Sequence, residues 1–152
     1  MPDDELDAIL IQVTVPLPIP MIYAAFTEPE KLRGWLCDGA EVEPKVGGRY
    51  LLRWTSDPAF ESAGTIVQMQ RDVDIGFTWF GPPPFAPLMN GPPPKTHVYV
   101  RLAESPEGID ITLEHSGWVS GEAWEEARSW HFHLWDERLH QLKDYLIKAA
   151  YG

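Results

Sequence analysis

The order of the predicted elements indicates an α+β domain, in which one antiparallel sheet packs a face against helices. One strand comes first, two short helices follow it, four or five strands come next in succession, and one long helix ends the chain. Strands and helices grouped in runs of this kind are typical of the α+β class. Consecutive strands without helices between them favour an antiparallel meander.

The long helix is predicted over residues 121–150. Glu122 and Glu125 lie in its first turns and Lys148 lies near its end, which is the charge order that the helix dipole favours, and Ser120 is the expected N-cap. At 1.5 Å per residue such a helix is roughly 43 Å long, enough to cross a small domain.

One face of this helix is predicted to point inward, and its two halves differ. Steps of 100° per residue place on that face Trp124, Arg128, His131, Trp135, Arg138, Leu139, Leu142, Leu146 and Ala149. The second half is aliphatic, as expected of a core helix. The first half mixes tryptophan, arginine and histidine, which fill a solid core poorly, so we expect this half to face a pocket.

The elements before the helix are marked by proline and by residue alternation. A first strand over residues 8–15 ends at Pro16, and a short helix follows with Pro18 and Pro20 at its first turn. A capping box from Thr27 to Glu30 predicts a second short helix that ends near Trp35. Further strands are predicted over residues 47–54, 64–70, 75–80, 96–102 and 108–115.

The segment 81–95, GPPPFAPLMNGPPPK, contains seven prolines and is expected to form neither a regular helix nor a central strand. It is an exposed polyproline excursion, a ligand for a proline-binding module, or a lid that folds over an opening in the sheet. Phe85, Leu88 and Met89 favour the lid, because apolar side chains gain nothing from standing in water.

Composition limits the class of partner. The 152 residues fit a single domain, 1–152, and 23 acidic against 12 basic residues give a formal net charge of -11, which disfavours nucleic acid and anionic membranes. No apolar run is long enough to span a bilayer. The single Cys37 excludes an internal disulfide and the first residues lack the features of a signal peptide, so a cytoplasmic location is expected.

Several short signatures occur in the order known from one family. They are residues 15–36, VPLPIPMIYAAFTEPEKLRGWL, then EVEPKVGGRY at 41–50, GTIVQMQRDVDIGFTW at 64–79 and HSGW at 115–118. Together they resemble the activator of heat-shock-protein ATPase homologue domain of the START-like, helix-grip superfamily. The resemblance implies a curved antiparallel β-sheet wrapped around the long C-terminal α-helix, with a cavity between them. The proline-rich segment 81–95 departs from the family pattern.

Alternation along the strands predicts which side chains form the walls of that cavity. Combined with the first half of the helix, they describe an apolar pocket with a few polar groups, as in small-molecule sites. The predicted ligand-binding residues are Tyr50, Leu52, Trp54, Met69, Phe77, Trp79, Val98, Val100, Leu113, His115, Trp124, Arg128, His131 and Trp135. Val67, Leu102 and Ile111 are expected to face the helix as well.

The same residues also fit a filled core, in which His115 and His131 are hydrogen-bonded and unreactive; for each histidine alone, this interpretation is favoured. For Arg128 and Arg138, pairing with Glu114 or another acid is favoured over contact with a ligand anion. His131 in a pocket would be expected to change charge near neutrality. His133, Glu137 and His140 on the outer face have the spacing of metal ligands, but a single solvated helix supplies them, so no metal is predicted.

Three functions are compatible with the sequence. The favoured one is binding of an apolar or amphipathic small molecule. The second is regulation of a heat-shock chaperone ATPase, which only the family resemblance implies, and the third is a small enzyme that uses a cavity histidine, which turnover abolished by His131→Ala would support. No nucleophile elbow, phosphate-binding loop or dinucleotide fingerprint occurs, and no cofactor is predicted. A homodimer is left open.

Overall fold

A computed structural model describes residues 6–56 and 58–152. The chain forms a curved, seven-stranded antiparallel sheet with a long C-terminal helix and two short helices after the first strand, so the predicted α+β helix-grip class is confirmed. The strands are β1 (Ile9–Val15), β2 (Gly39–Val42), β3 (Arg49–Trp54), β4 (Phe60–Gln70), β5 (Asp74–Trp79), β6 (Thr96–Ser105) and β7 (Gly108–Ser116). The helices are α1 (Ile19–Thr27), α2 (Pro29–Trp35), α3 (Ala86–Met89) and α4 (Glu122–Tyr151).

The strand order across the sheet is β1-β7-β6-β5-β4-β3-β2. From β2 to β7 each strand pairs with its neighbour in sequence, which is the predicted meander. β1 lies at the opposite edge from β2 and pairs with β7, from Ile9 opposite His115 to Val15 opposite Ile109. The segment containing α1 and α2 therefore joins the two edges of the sheet.

The first elements follow the predicted pattern, with one correction at a helix start. Ile9, Ile11, Val13 and Val15 of β1 are buried, and α1 begins after Pro18 with Pro20 in its first turn. The expected Thr27 cap of α2 is wrong: Glu28 is the N-cap and Pro29 is the first helical residue. Proline favours that position and holds the residue before it in an extended conformation, and Glu28 accordingly has φ -97° and ψ 122°.

Strand β4 corrects another prediction. It begins at Phe60, four residues before the predicted start, and a bulge lies between Ile66 and Gln68. Ser62, Gly64 and Ile66 face inward, whereas Val67 falls in the bulge and is 49% exposed instead of facing the helix. Because a bulge adds one residue to one strand, it reverses the alternation after it, and Met69 is half-buried on the inner side.

Helix α4 contains 30 residues and buries its predicted stripe against the sheet. The buried residues are Ala127, His131, Trp135, Leu139, Leu142 and Leu146. Its N-cap is Gly121 with φ 128°, so the expected cap at Ser120 is wrong. A left-handed φ of this kind favours glycine. Ala149, predicted on the inner face, lies beyond the sheet and is exposed.

Candidate functional site

The structure brings most of the predicted cavity residues together between the sheet and α4. Buried there are Tyr50, Leu52, Trp54, Phe77, Trp79, Val98, Val100, Leu113, His115, His131 and Trp135. Met69, Trp124 and Arg128 are half-buried at the margins. The interior side chains contact one another closely; the rings of Tyr50 and Phe77, for example, stack with centroids 4.0 Å apart.

His131 is bound on both sides of its ring. Trp79, the last residue of β5, donates its indole N–H to Nε2 of His131 over 3.0 Å, and Nδ1 of His131 lies 2.7 Å from the carbonyl oxygen of Ala127 one turn earlier in α4. A carbonyl oxygen only accepts, so Nδ1 carries the proton and Nε2 is the acceptor. The ring is therefore held as a neutral tautomer.

His115 on β7 is held in a similar way. Trp135 of α4 donates its indole N–H to Nδ1 over 3.0 Å, which leaves Nε2 as the protonated nitrogen that donates to the Thr96 hydroxyl at 2.9 Å. Trp118 follows β7 and donates its own indole N–H to the backbone carbonyl of His115 over 2.8 Å. Thr96 and Trp118 are completely buried.

These contacts keep both histidines uncharged. Burial lowers the pKa of His131 to about 4, and burial together with the neighbouring His131 and His97 holds the pKa of His115 well below its ordinary value. The expectation that His131 changes charge near neutrality is therefore wrong. All four ring nitrogens have hydrogen-bond partners, which is the arrangement expected of a filled core.

The proline-rich segment covers this histidine cluster. The ring centroid of Phe85 lies 6.1 Å from that of His131 and 6.0 Å from that of Trp130. Met89 is fully buried. Despite its prolines the segment includes a 3-10 turn, Pro83–Phe85, and the one-turn helix α3. Asn90 closes it, because its side-chain amide exchanges two hydrogen bonds with the backbone of Gly81, of 2.7 and 3.1 Å. Residues 81–90 of this segment thus pack onto the core as a cover, whereas Gly91, Pro92 and Pro93 are exposed.

An aromatic groove lies beside the cover, between the β3–β4 hairpin and α4. Its volume is about 330 Å³. The rings of Trp54 and Phe60 stack nearly parallel, with centroids 4.4 Å apart. The rings of Phe60 and Trp130 pack edge to face, with centroids 6.3 Å apart. The lining residues are Trp54, Ser56, Pro58, Phe60, Trp130, His133, Leu134, Glu137 and Arg138.

Only Trp54 of this groove was among the predicted site residues. Phe60 was missed because β4 was expected to begin at Gly64, although the alternation of Phe60, Ser62, Gly64 and Ile66 could have shown the earlier start. Trp130 and Leu134 were missed because they lie beside the predicted inner stripe of α4, on the side toward the hairpin. A half-buried tryptophan next to a core stripe was the available signal.

The two inward arginines reach different ends of the molecule. The Arg128 guanidinium binds the backbone carbonyl oxygens of Asp7, at 2.6 Å, and Ala8, at 3.3 Å, just before β1. Between described residues no ion pair joins it to Glu114, so the expected pairing with that residue is wrong. Arg138 lies at the aromatic groove and donates through Nη1 to Trp35 O, at 3.5 Å, and to Gln141 Oε1, at 3.2 Å.

Another surface cleft lies elsewhere. It has a volume of about 560 Å³ and runs between α1 and the loop before β3, with Tyr23, Lys45, Val46, Met69 and Arg71 among its lining residues. Met69 is the single predicted cavity residue in it. The cleft is open and its charges are of both signs, since Glu28 and Asp72 also line it.

Two further features concern residues 6–56 and 58–152. No group of three or more His, Cys, Asp or Glu side chains in this range is arranged to hold a metal ion. No helix in the same part of the chain has the length and apolarity needed to cross a membrane.

Comparisons with known proteins agree on the fold. The family model described as Activator of Hsp90 ATPase homolog 1-like protein matches residues 16–147. No curated protein matches the chain.

Solved structures support the same fold at low sequence identity. Protein MLL2253 from Mesorhizobium loti is 17% identical with a TM-score of 0.75, over 93% of this chain and 97% of the other. The Aha1 dimer from Colwellia psychrerythraea is 16% identical with a TM-score of 0.76, over 93% and 96%. Protein SSP2350 from Staphylococcus saprophyticus is 20% identical with a TM-score of 0.68, over 91% and 90%.

Proposed function

The chain belongs to the family of Activator of Hsp90 ATPase homolog 1-like proteins, and we propose that it is a START-like domain that binds a small amphipathic molecule in the aromatic groove between the β3–β4 hairpin and α4. The observation that carries this proposal is the row formed by Trp54, Phe60 and Trp130. Their rings contact one another and line an open groove of about 330 Å³, which is the size of a small-ligand site.

The groove is favoured over the interior for a physical reason. Beneath α4 the predicted wall residues contact one another, and the indole and imidazole groups satisfy each other's hydrogen bonds. A ligand entering there would have to break these buried bonds, which is costly. In the groove Phe60, Trp130 and Leu134 are only partly buried, so a ligand covers apolar surface that water now contacts. The predicted wall residues Trp79, His115, His131 and Trp135 then form the rigid core behind the site.

Titration with a neutral bicyclic aromatic ester, methyl 2-naphthoate, tests this proposal by tryptophan quenching and calorimetry. We expect Trp130→Ala to weaken binding about tenfold, since aromatic contacts of this kind contribute about 1 kcal/mol or more beyond the buried area. Phe132→Ala is the matched control, because Phe132 is a neighbouring apolar residue of α4 that is 39% exposed and does not line the groove. Equal weakening by both substitutions would contradict the groove as the site. Native mass spectrometry of the purified protein tests for a co-purified molecule.

The family description favours a second function, regulation of a chaperone ATPase. Addition of the purified protein to a ninety-kilodalton heat-shock chaperone, with ATP hydrolysis measured, tests it directly. Stimulation that persists in Trp130→Ala would separate this function from ligand binding. A cytoplasmic location and a homodimer remain predictions, and light scattering on the eluted protein measures the oligomeric state.

A further inference from the structure

We propose that the ligand of the aromatic groove is a small aromatic acid whose carboxylate is bound by the guanidinium of Arg138. This inference rests on the proposed function, because it names the chemical class of molecule that the same groove takes.

The first observation is an unsatisfied donor. Over the part of the chain that the structure describes, Nε of Arg138 is the one buried side-chain nitrogen or oxygen without a hydrogen-bond partner. Buried polar groups are normally paired, and leaving a charged donor unpaired is unfavourable. Nη1 of the same guanidinium is satisfied by Trp35 O and Gln141 Oε1. The protein thus fixes one edge of the arginine and leaves Nε, on another edge, without an acceptor.

The second observation is where this donor lies. Arg138 lines the groove of Trp54, Phe60 and Trp130, and it also lines a smaller adjoining hollow of about 170 Å³. Trp54, which ends the row of rings, lines both as well, so Arg138 lies toward the Trp54 end of the row. A flat acid lying along the rings would bring its carboxylate to Arg138, and the covered Nε must turn toward the groove to complete the paired N–H contacts that guanidinium groups make with carboxylates.

Two acidic side chains, Asp38 and Glu137, lie near Arg138, but no described residue forms an ion pair with it. Asp38 lines the hollow, and its carboxylate accepts hydrogen bonds from the Thr55 backbone at 2.8 Å and the Thr55 hydroxyl at 3.1 Å. These bonds, and to a lesser degree the charge of Arg138, lower the pKa of Asp38. Glu137 and His133 line the groove from the exposed side of α4. Of the described residues that line the groove, Arg138 alone carries a permanent positive charge.

Calorimetry at pH 7.5 with 2-naphthoic acid and its methyl ester tests the assignment, since the two probes share the apolar body and differ in the anion. We expect the acid to bind the unaltered protein at least tenfold more tightly than the ester, as hydrogen bonds to charged groups are stronger than neutral ones. Arg138→Gln should weaken the acid about tenfold or more and leave the ester within about twofold. Arg49→Gln is the matched control, because it removes the same charge from an exposed arginine that does not line the groove. Arg49 pairs with Glu41 instead.

Several results would overturn the proposal. They are equal affinity for acid and ester, equal weakening of both probes by Arg138→Gln, or weakening of the acid by Arg49→Gln to the same degree. Arg138→Lys keeps the charge but not the planar fork, and unchanged acid affinity in this variant would also overturn the role of Nε. Ester binding without any preference for the acid would refute this inference and leave the groove in place. Failure of both probes to bind would refute the groove itself.

Discussion

Acidification is expected to destabilise the fold through the buried histidines, and the effect of His131 can be worked out. Burial lowers its pKa from the ordinary value of 6.5 to about 4, so the unfolded chain takes up a proton at a higher pH than the folded protein does. The neutral ring therefore contributes stability that is fully present above pH 6.5 and is lost as the pH falls toward 4. Between pH 7.5 and pH 5 the expected loss from this residue is about 2 kcal/mol, from the relation between pKa and free energy.

Urea unfolding at pH 7.5 and pH 5 measures this loss in the unaltered protein and in His131→Gln. Glutamine removes the titrating ring while keeping an acceptor that can face the Trp79 indole, so the variant is less stable at pH 7.5 but depends less on pH. We expect the drop in unfolding free energy between the two pH values to be smaller by about 2 kcal/mol in the variant. His133→Gln, at an exposed position two residues away, should leave the drop unchanged. An identical pH dependence in the unaltered protein and His131→Gln would refute the reasoning.

Three further predictions concern stability and are checked by urea melts. Leu142→Ala should lower the free energy of unfolding by about 2 to 5 kcal/mol, because Leu142 is completely buried. Trp124→Ala should lower it less, because the Trp124 side chain is half-buried. Equal losses in the two variants would contradict this prediction. Deletion of Pro82–Pro94 with a short glycine closure should lower stability by at least the roughly 2 to 5 kcal/mol expected for truncating a buried methionine, because it removes the fully buried Met89, whereas an unchanged melt would show that the cover is dispensable. Arg128→Leu should lower stability by about 1 to 3 kcal/mol through the loss of its bonds to the carbonyls before β1, and it should leave binding of 2-naphthoic acid unchanged.

The fold was predictable because its signals are local and repeated. The alternation of Ile9, Ile11, Val13 and Val15 and the inner stripe of α4 each follow from one periodicity. The corrections fall where a single residue decides the outcome. Pro29 moves the start of α2 by one position, and the bulge after Ile66 takes Val67 out of the inner face.

The candidate site was less predictable, because its properties depend on pairs of distant residues. Sequence placed His131 and Trp79 in one interior, but the state of the ring depends on a hydrogen bond between residues 52 positions apart. The groove depends on contact between Phe60 of β4 and Trp130 of α4, which no local pattern gives. Arg128 and Arg138 share one predicted face of α4 but lie almost three turns apart along it. Arg128 therefore binds backbone carbonyls just before β1, whereas Arg138 lines the aromatic groove.

The pairing of β1 with β7 has a consequence for how the chain folds. Val13 meets Ile111 and Ile9 meets His115, so the first strand finds its partner only when about a hundred residues have been made. Such distant contacts close large loops and slow the search for the native state, and domains rich in them fold in milliseconds to seconds. During synthesis the apolar side chains of β1 must therefore remain without their final neighbours until β7 has left the ribosome. Moving residues 6–17 to the end of the chain by circular permutation would change the order in which the sheet closes while keeping every strand contact.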